Sequence, residues 1–284
     1  MAQRHGMPVS RATQLNARHT PGFEQRVAQT LSRLQQLAAA HPGRVVLTTS
    51  LGAEDMVLTD LIARHHLPIA LATLDTGQLH EQTLALIAVL EAHYDLAVER
   101  WQPQPAQVLQ FVRTYGDLAM RESLTLRKAC CQIRKLEPLA RLLNGRTAWV
   151  TGLRREQSGT RAEVPFEDTD ADGRTKLNAL ADWSWHDVWH YIASHAVPYN
   201  ALHDEFFPSI GCEPCTRAVA QGEDFRAGRW WWENEAAKEC GLHVRPDVHL
   251  NADLDANLNA NLNANPSVHS VVSTSAPWTK EARP

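Results

Sequence analysis

Apolar residues at helical spacing open the readable part of the chain. Phe23, Val27, Leu31, Leu34 and Leu37 predict an amphipathic helix over 23–41, closed by His41-Pro42-Gly43. The unbroken run Val45-Val46-Leu47-Thr48-Thr49 predicts a buried strand. After a loop from Ser50 to Asp55 the pattern predicts a helix from Met56 to His66, a strand from Pro68 to Leu74 and the turn Asp75-Thr76-Gly77. A helix from Leu79 to His93, a strand from Leu96 to Trp101 and another from Thr147 to Thr151 follow. Asp182 is placed to cap a helix through Trp185, Val188, Trp189 and Ile192. Strands alternating with helices predict an α/β fold, a parallel sheet flanked by helices.

The ends differ from this middle. Residues 1–22 are polar and aperiodic and read as a flexible arm. From Asn251 the four-residue repeat NADL-DANL-NANL-NAN carries little apolar surface and poor helix formers, so 247–284 reads as a disordered low-complexity tail. The folded domain is therefore expected over 23–246. At 284 residues, 44% hydrophobic, 21% charged and a net charge of −4, the composition is that of a soluble globular protein and argues against nucleic-acid binding by bulk charge. No apolar run is long enough for a transmembrane helix, and the N-terminus has no apolar core of a signal peptide, so a cytoplasmic location is expected.

Five cysteines carry most of the chemical information. An odd number without a signal peptide is poor material for a disulfide framework. Cys212-Glu213-Pro214-Cys215 lets two thiolates converge on one metal. Adjacent side chains on a regular helix diverge by about 100°, so Cys130-Cys131 must sit at a helix end or kink. Zinc sites prefer spaced pairs, whereas a [4Fe–4S] core tolerates adjacent ligands better, although common ferredoxin spacings do not match; unligated buried thiols stay open as an alternative. Lys135, four residues after Cys131, shares that face if the segment is helical. Cys240 stands apart, with Lys238 and His243 nearby and Gly241 beside it, a setting that favours a nucleophilic thiolate or an incidental surface thiol.

Three loops follow predicted strands. Ser50-Leu51-Gly52 feeds a helix N-terminus, an arrangement suited to an anion but shared with plain βα turns. Asp75 and Gly77 lie where open α/β sheets bind ligands, with Asp75 able to accept from a ribose hydroxyl or an adenine amine, or simply to form a turn. Arg154, Arg155 and Arg161, spaced by Gly152 and Gly159, match the oxygens of sulfate or phosphate.

Together these segments resemble the thioredoxin-dependent adenylyl-sulfate (APS) and phosphoadenylyl-sulfate (PAPS) reductase family, in particular its iron–sulfur APS branch. The resemblance rests on Ser50 to Asp55, Leu74 to Gly77, Cys130-Cys131 with Arg134-Lys135, and the loop from Gly152 to Arg161. Tyr199-Asn200 with Leu202-His203, Pro208 to Thr216, Arg226 to Glu233, and Glu239-Cys240-Gly241-Leu242-His243 complete it. It covers about 23–246 and implies a fold like that of the adenine-nucleotide α-hydrolases. The usual S-G-G-x-D-S loop of that fold is absent, and the tail after Cys240 has no counterpart.

The resemblance further implies one [4Fe–4S] cluster on Cys130, Cys131, Cys212 and Cys215, with Cys240 as the catalytic nucleophile. Ser50, Gly52, Asp75, Gly77, Lys135, Arg154, Arg155, Arg161, Arg226, Arg229 and His243 become substrate-binding candidates. The implied reaction converts adenylyl sulfate to sulfite and AMP through an S-sulfocysteine, with thioredoxin or a glutaredoxin-like dithiol as partner. It serves sulfate assimilation and cysteine biosynthesis. A homo-oligomer is compatible with all of this, and neither nucleic acid nor membrane is an expected partner. The rival readings are a PAPS or dual-specificity reductase, a tRNA-thiolating enzyme, and a non-catalytic zinc-stapled module.

Overall fold

The computed structural model describes residues 12–234, all within the first of the two units into which the chain divides, Met1–Arg245. Expectations that fall on 1–11 and 235–284, including those for Cys240, His243 and the tail, lie outside the described residues. Helices α1 (Ala12–Asn16) and α2 (Phe23–Ala40) precede β1 (Val45–Thr49), α3 (Ala53–Arg64), β2 (Ala70–Leu74), α4 (Glu81–Tyr94) and β3 (Val98–Trp101). Then come α5 (Pro105–Tyr115), α6 (Leu124–Cys131), a π-helical turn Gln132–Leu136 and α7 (Glu137–Leu143). Strand β4 (Ala148–Thr151), β5 (Glu167–Thr169), β6 (Thr175–Asn178) and α8 (Trp185–His195) follow.

The sheet runs β3-β2-β1-β4-β6-β5, parallel except where β5 pairs antiparallel with β6. The chain steps outward from β1 to β3, then returns to lay β4 on the other side of β1, which makes the β1/β4 crevice a topological switch point. Alternation along the strands divides the core. Val45 and Leu47 of β1 pack with Leu34, Val57 and Trp189 on one face, while Val46, Ala72 and Trp149 meet Leu139, Leu142 and Leu143 of α7 on the other.

Three expectations change. The arm predicted over 1–22 is folded in its second half: Ala12 is buried and its N–H donates to Asp204 at 2.6 Å. Ser184, not Asp182, caps α8, because Ser184 and Asp187 form a reciprocal box with bonds of 2.8 and 3.1 Å. Strands β5 and β6 escape the hydrophobic pattern because Glu167-Asp168-Thr169 and Thr175-Lys176-Leu177-Asn178 are mostly polar. The overlooked signal is the turn between them, where Asp172-Gly173 closes a hairpin with Gly173 at φ 80°.

Candidate active site

A cavity of about 190 Å³ opens beyond the carboxyl ends of β1, β2 and β4, at the switch point. Its first wall is the turn from β1 into α3, where Ser50 and Gly52 lie. Asp55 holds this turn, its Oδ2 accepting from both the N–H and the Oγ of Ser50 at 2.6 Å. Burial pushes the Asp55 carboxyl up to about 6, helped by the Glu54 charge and opposed by the Ser50 bonds. Burial also works against the Glu54 carboxylate, but Arg154 and Gln157 outweigh it and hold its pKa below the ordinary value.

The second wall is the arginine loop after β4. Arg161 lines the cavity and its Nη1 donates to Gln157 Oε1 at 2.6 Å; Gln157 in turn donates to Glu54 at 2.9 Å. Gly152 lies so near α3 that a Cβ there would sit 2.9 Å from the Glu54 Cβ. The third wall is Ser209 to Cys212 with Arg226 and Arg229, both buried. Arg229 donates to the Ile210 carbonyl at 3.1 Å and lies over the Trp230 ring at 4.6 Å. Lys135 completes a basic lining suited to an anion. His203 also reaches the cavity. Its Nδ1 donates to the Phe207 carbonyl at 2.8 Å, so Nε2, which has no partner among the described residues, is left as an acceptor. Burial lowers the His203 pKa to about 4.

The four described cysteines line one smaller cavity next door. Cys130 and Cys131 end α6 where it passes into the π turn, so the adjacent pair sits at a helix irregularity, as adjacent side chains facing one chamber require. Cys212 and Cys215 flank a 3₁₀ turn pinned by Thr216 Oγ1 to the Cys212 carbonyl at 3.0 Å and by Arg121 to the Pro214 carbonyl at 2.9 Å. Lys135, Cys212 and Trp230 line both cavities.

Several predicted site residues lie elsewhere. Arg154 is fully buried between Glu54 at 2.9 Å and Glu156 at 2.8 Å and braces the loop from behind, because a carboxylate on α3 competes for its guanidinium. Arg155 donates to the Val164 carbonyl and lies over Phe166, outside the cavity lining. Asp75 and Gly77 form the turn: Asp75 Oδ1 accepts from the Gly77 N–H at 3.1 Å, Oδ2 accepts from Gln102, and Gly77 adopts φ 69°. Thus Ser50, Gly52, Lys135, Arg161, Arg226 and Arg229 come together, while Arg154, Arg155, Asp75 and Gly77 support the frame. Asp55, Gln157, His203 and Ser209 also line the cavity although the sequence did not single them out as site residues; each lies inside a segment already singled out, and the tertiary fold brings them to the cavity.

A basic cavity at the switch point of an open parallel sheet defines an anion- or nucleotide-binding α/β protein. The chain belongs to the phosphoadenosine phosphosulfate reductase domain family, whose match spans residues 44–218. It is 58% identical over 202 residues to an adenosine 5'-phosphosulfate reductase of Allochromatium vinosum, covering 71% of this chain and 79% of that protein. The corresponding Neisseria meningitidis protein is 52% identical over 213 residues, covering 74% and 87%. Among solved structures, a Candida auris phosphoadenylyl-sulfate (PAPS) reductase in a phosphate complex aligns with TM-score 0.58 and 25% identity over 70% of this chain and 94% of that one. A Candida glabrata FMN adenylyltransferase, at TM-score 0.50, 15% identity and coverage of 81% and 83%, shares the fold.

Proposed function

We propose that the chain reduces adenylyl sulfate to sulfite and AMP, with thioredoxin or a glutaredoxin-like dithiol as the cytoplasmic electron donor. The observation that carries this reading is the shared wall: Lys135, Cys212 and Trp230 separate a basic anion cavity from a chamber of four thiols. Relatives at 50% identity or more that bear the adenosine 5'-phosphosulfate reductase name support it. Arg161, Arg226, Arg229 and Lys135 would bind the phosphate and sulfate oxygens, and Ser50 and Gly52 would border the nucleotide. His203 Nε2 would accept from a substrate hydroxyl or amine. The Cys240 thiolate attacks the sulfur, forming a sulfur–sulfur bond as the bond from sulfur to the bridging oxygen breaks and AMP leaves. A donor thiolate then attacks Cys240 Sγ, sulfite departs, and the donor's second thiol resolves the mixed disulfide.

Cys130, Cys131, Cys212 and Cys215 fit a [4Fe–4S] cluster. All four are buried free thiols. Burial pushes Cys215 up to about 11 and raises Cys130, so anionic sulfurs at these positions need a compensating metal. Among the described residues the four sulfurs line one chamber, as a core with separated iron corners would require. When bound, the cluster would contribute charge and rigidity beside the anion site; the dithiol supplies both electrons.

The test is sulfite release from APS and from PAPS with reduced thioredoxin, using anaerobically purified protein. Wild type should release sulfite from APS in preference to PAPS, and Cys240→Ser should release none while keeping its iron. Sulfite release by Cys240→Ser near the wild-type rate would remove Cys240 from the mechanism.

A further inference from the structure

Among the described residues Arg127 is the most deeply buried cation outside the anion cavity, and nothing in the proposed reaction uses it. It lies on α6, one turn before Cys131, and lines the thiol chamber. Its Nε and Nη2 grip the Glu233 carboxylate at 2.6 and 2.9 Å, with side-chain exposures of 0% and 7%. Removing one partner of such a buried pair leaves an uncompensated charge, so the pair fixes whatever it joins. What it joins is α6 and the stretch from Arg229 to Glu233.

Inside that stretch, Trp230 carries guanidiniums over its ring from two sources: Arg127 at 4.5 Å and Arg229 at 4.6 Å. Trp230 is buried, walls both cavities and holds a left-handed backbone at φ 41°. A non-glycine residue keeps such a conformation only where its surroundings impose it. Arg127 and Glu233 are those surroundings on one side. On the other, Arg229 reaches into the anion cavity, where Gly211 leaves room for it: a Cβ at Gly211 would lie 2.5 Å from Arg229 Cζ.

We propose that Arg127 is a positioning residue for the anion site, acting from the thiol chamber through Glu233 and Trp230 to set the pose of Arg229. This rests on the reading that Arg229 binds the substrate's anionic groups. Arg127 lines the thiol chamber and not the anion cavity, so its effect on affinity passes through Glu233, Trp230 and Arg229. The wall shared by the two cavities thereby couples the order of the thiol chamber to the strength of anion binding.

The test is a double-mutant cycle on equilibrium binding of APS and, separately, of inorganic sulfate, to the iron-loaded protein. Arg127→Lys keeps the charge but loses the two-pronged grip, and should weaken APS binding by about fivefold to tenfold with iron content retained. In an Arg229→Met background the same substitution should have no further effect. Glu233→Gln should repeat both results, and it takes the place of Arg127→Lys in the cycle if that variant loses iron. Multiplicative effects in the double variant, or binding within twofold of wild type for the single variants, would overturn the proposal. Wild-type protein that binds sulfate but not APS would refute the substrate reading, leaving the cycle on sulfate to judge Arg127. Wild type that binds neither would overturn both.

Discussion

Gly211→Ala isolates the contribution of Arg229 better than any substitution of the arginine itself. Gly211 has no left-handed backbone to lose, so alanine costs nothing there in conformation. The added Cβ would meet only the far end of Arg229, 2.5 Å from Cζ, against an ordinary contact of about 3.5–4.0 Å. The guanidinium must therefore move by about 1 Å, away from the Ile210 carbonyl and the Trp230 ring. A flexible side chain absorbs that shift at little expense to the fold, and stability should fall by less than about 1 kcal/mol. Anion binding should suffer more. A hydrogen bond to a charged group is worth about 1.5–3 kcal/mol, which is about 10- to 100-fold in affinity for APS. Isothermal titration with APS, alongside a thermal melt, separates the two quantities. APS affinity within threefold of wild type, with an unchanged melt, would refute the claim that the placement of Arg229 holds the substrate. Gly228→Ala is the structural counterpart: its Cβ would collide with the backbone carbonyl of Arg217, across a pairing in which the Arg217 N–H donates to the Gly228 carbonyl at 3.0 Å. That variant should lose stability first.

Acid titration should show two opposed slopes. Asp55, at about 6 folded, favours the fold in its protonated form, so its contribution is full at low pH and is lost as pH rises toward 6. His203, at about 4 folded, favours the fold when neutral, so its contribution is full above about 6.5 and is lost as pH falls toward 4. Each is worth at most about 3 kcal/mol. In urea melts between pH 4 and 7, Asp55→Asn should steepen the acid loss of stability and His203→Gln should flatten it; parallel profiles would contradict the assignments. Cys212→Ser and Cys215→Ser should each lower iron content and melting temperature together, because metal binding is linked to folding; unchanged iron would remove them as ligands.

The parallel core was legible because β1 and the helices around it carry uninterrupted apolar periodicity, and the strand-end loops follow from that order. The hairpin of β5 and β6 was not, since an edge built of Glu, Asp, Thr and Lys has no hydrophobic pattern to read. At the site, the adjacency of Cys130 and Cys131 already demanded a helix irregularity, and the π turn supplies it. Arg154 and Arg161 are indistinguishable in sequence. Only the tertiary position of Glu54, which takes the Arg154 guanidinium at 2.9 Å, separates Arg154 from Arg161, which lines the cavity. Asp75 was equally placed to bind or to turn, and its Oδ1 accepts from the Gly77 N–H as the turn reading expects.

The central claim is that sulfur is transferred to a cysteine of this chain before any reductant acts. Intact-protein mass spectrometry after incubation with APS and no thioredoxin tests it directly. The expected result is one added mass of about 80 Da, mapped to Cys240, absent from Cys240→Ser and discharged as sulfite when reduced thioredoxin is added. An unmodified protein under conditions that support turnover, or a modification on any other residue, would contradict it.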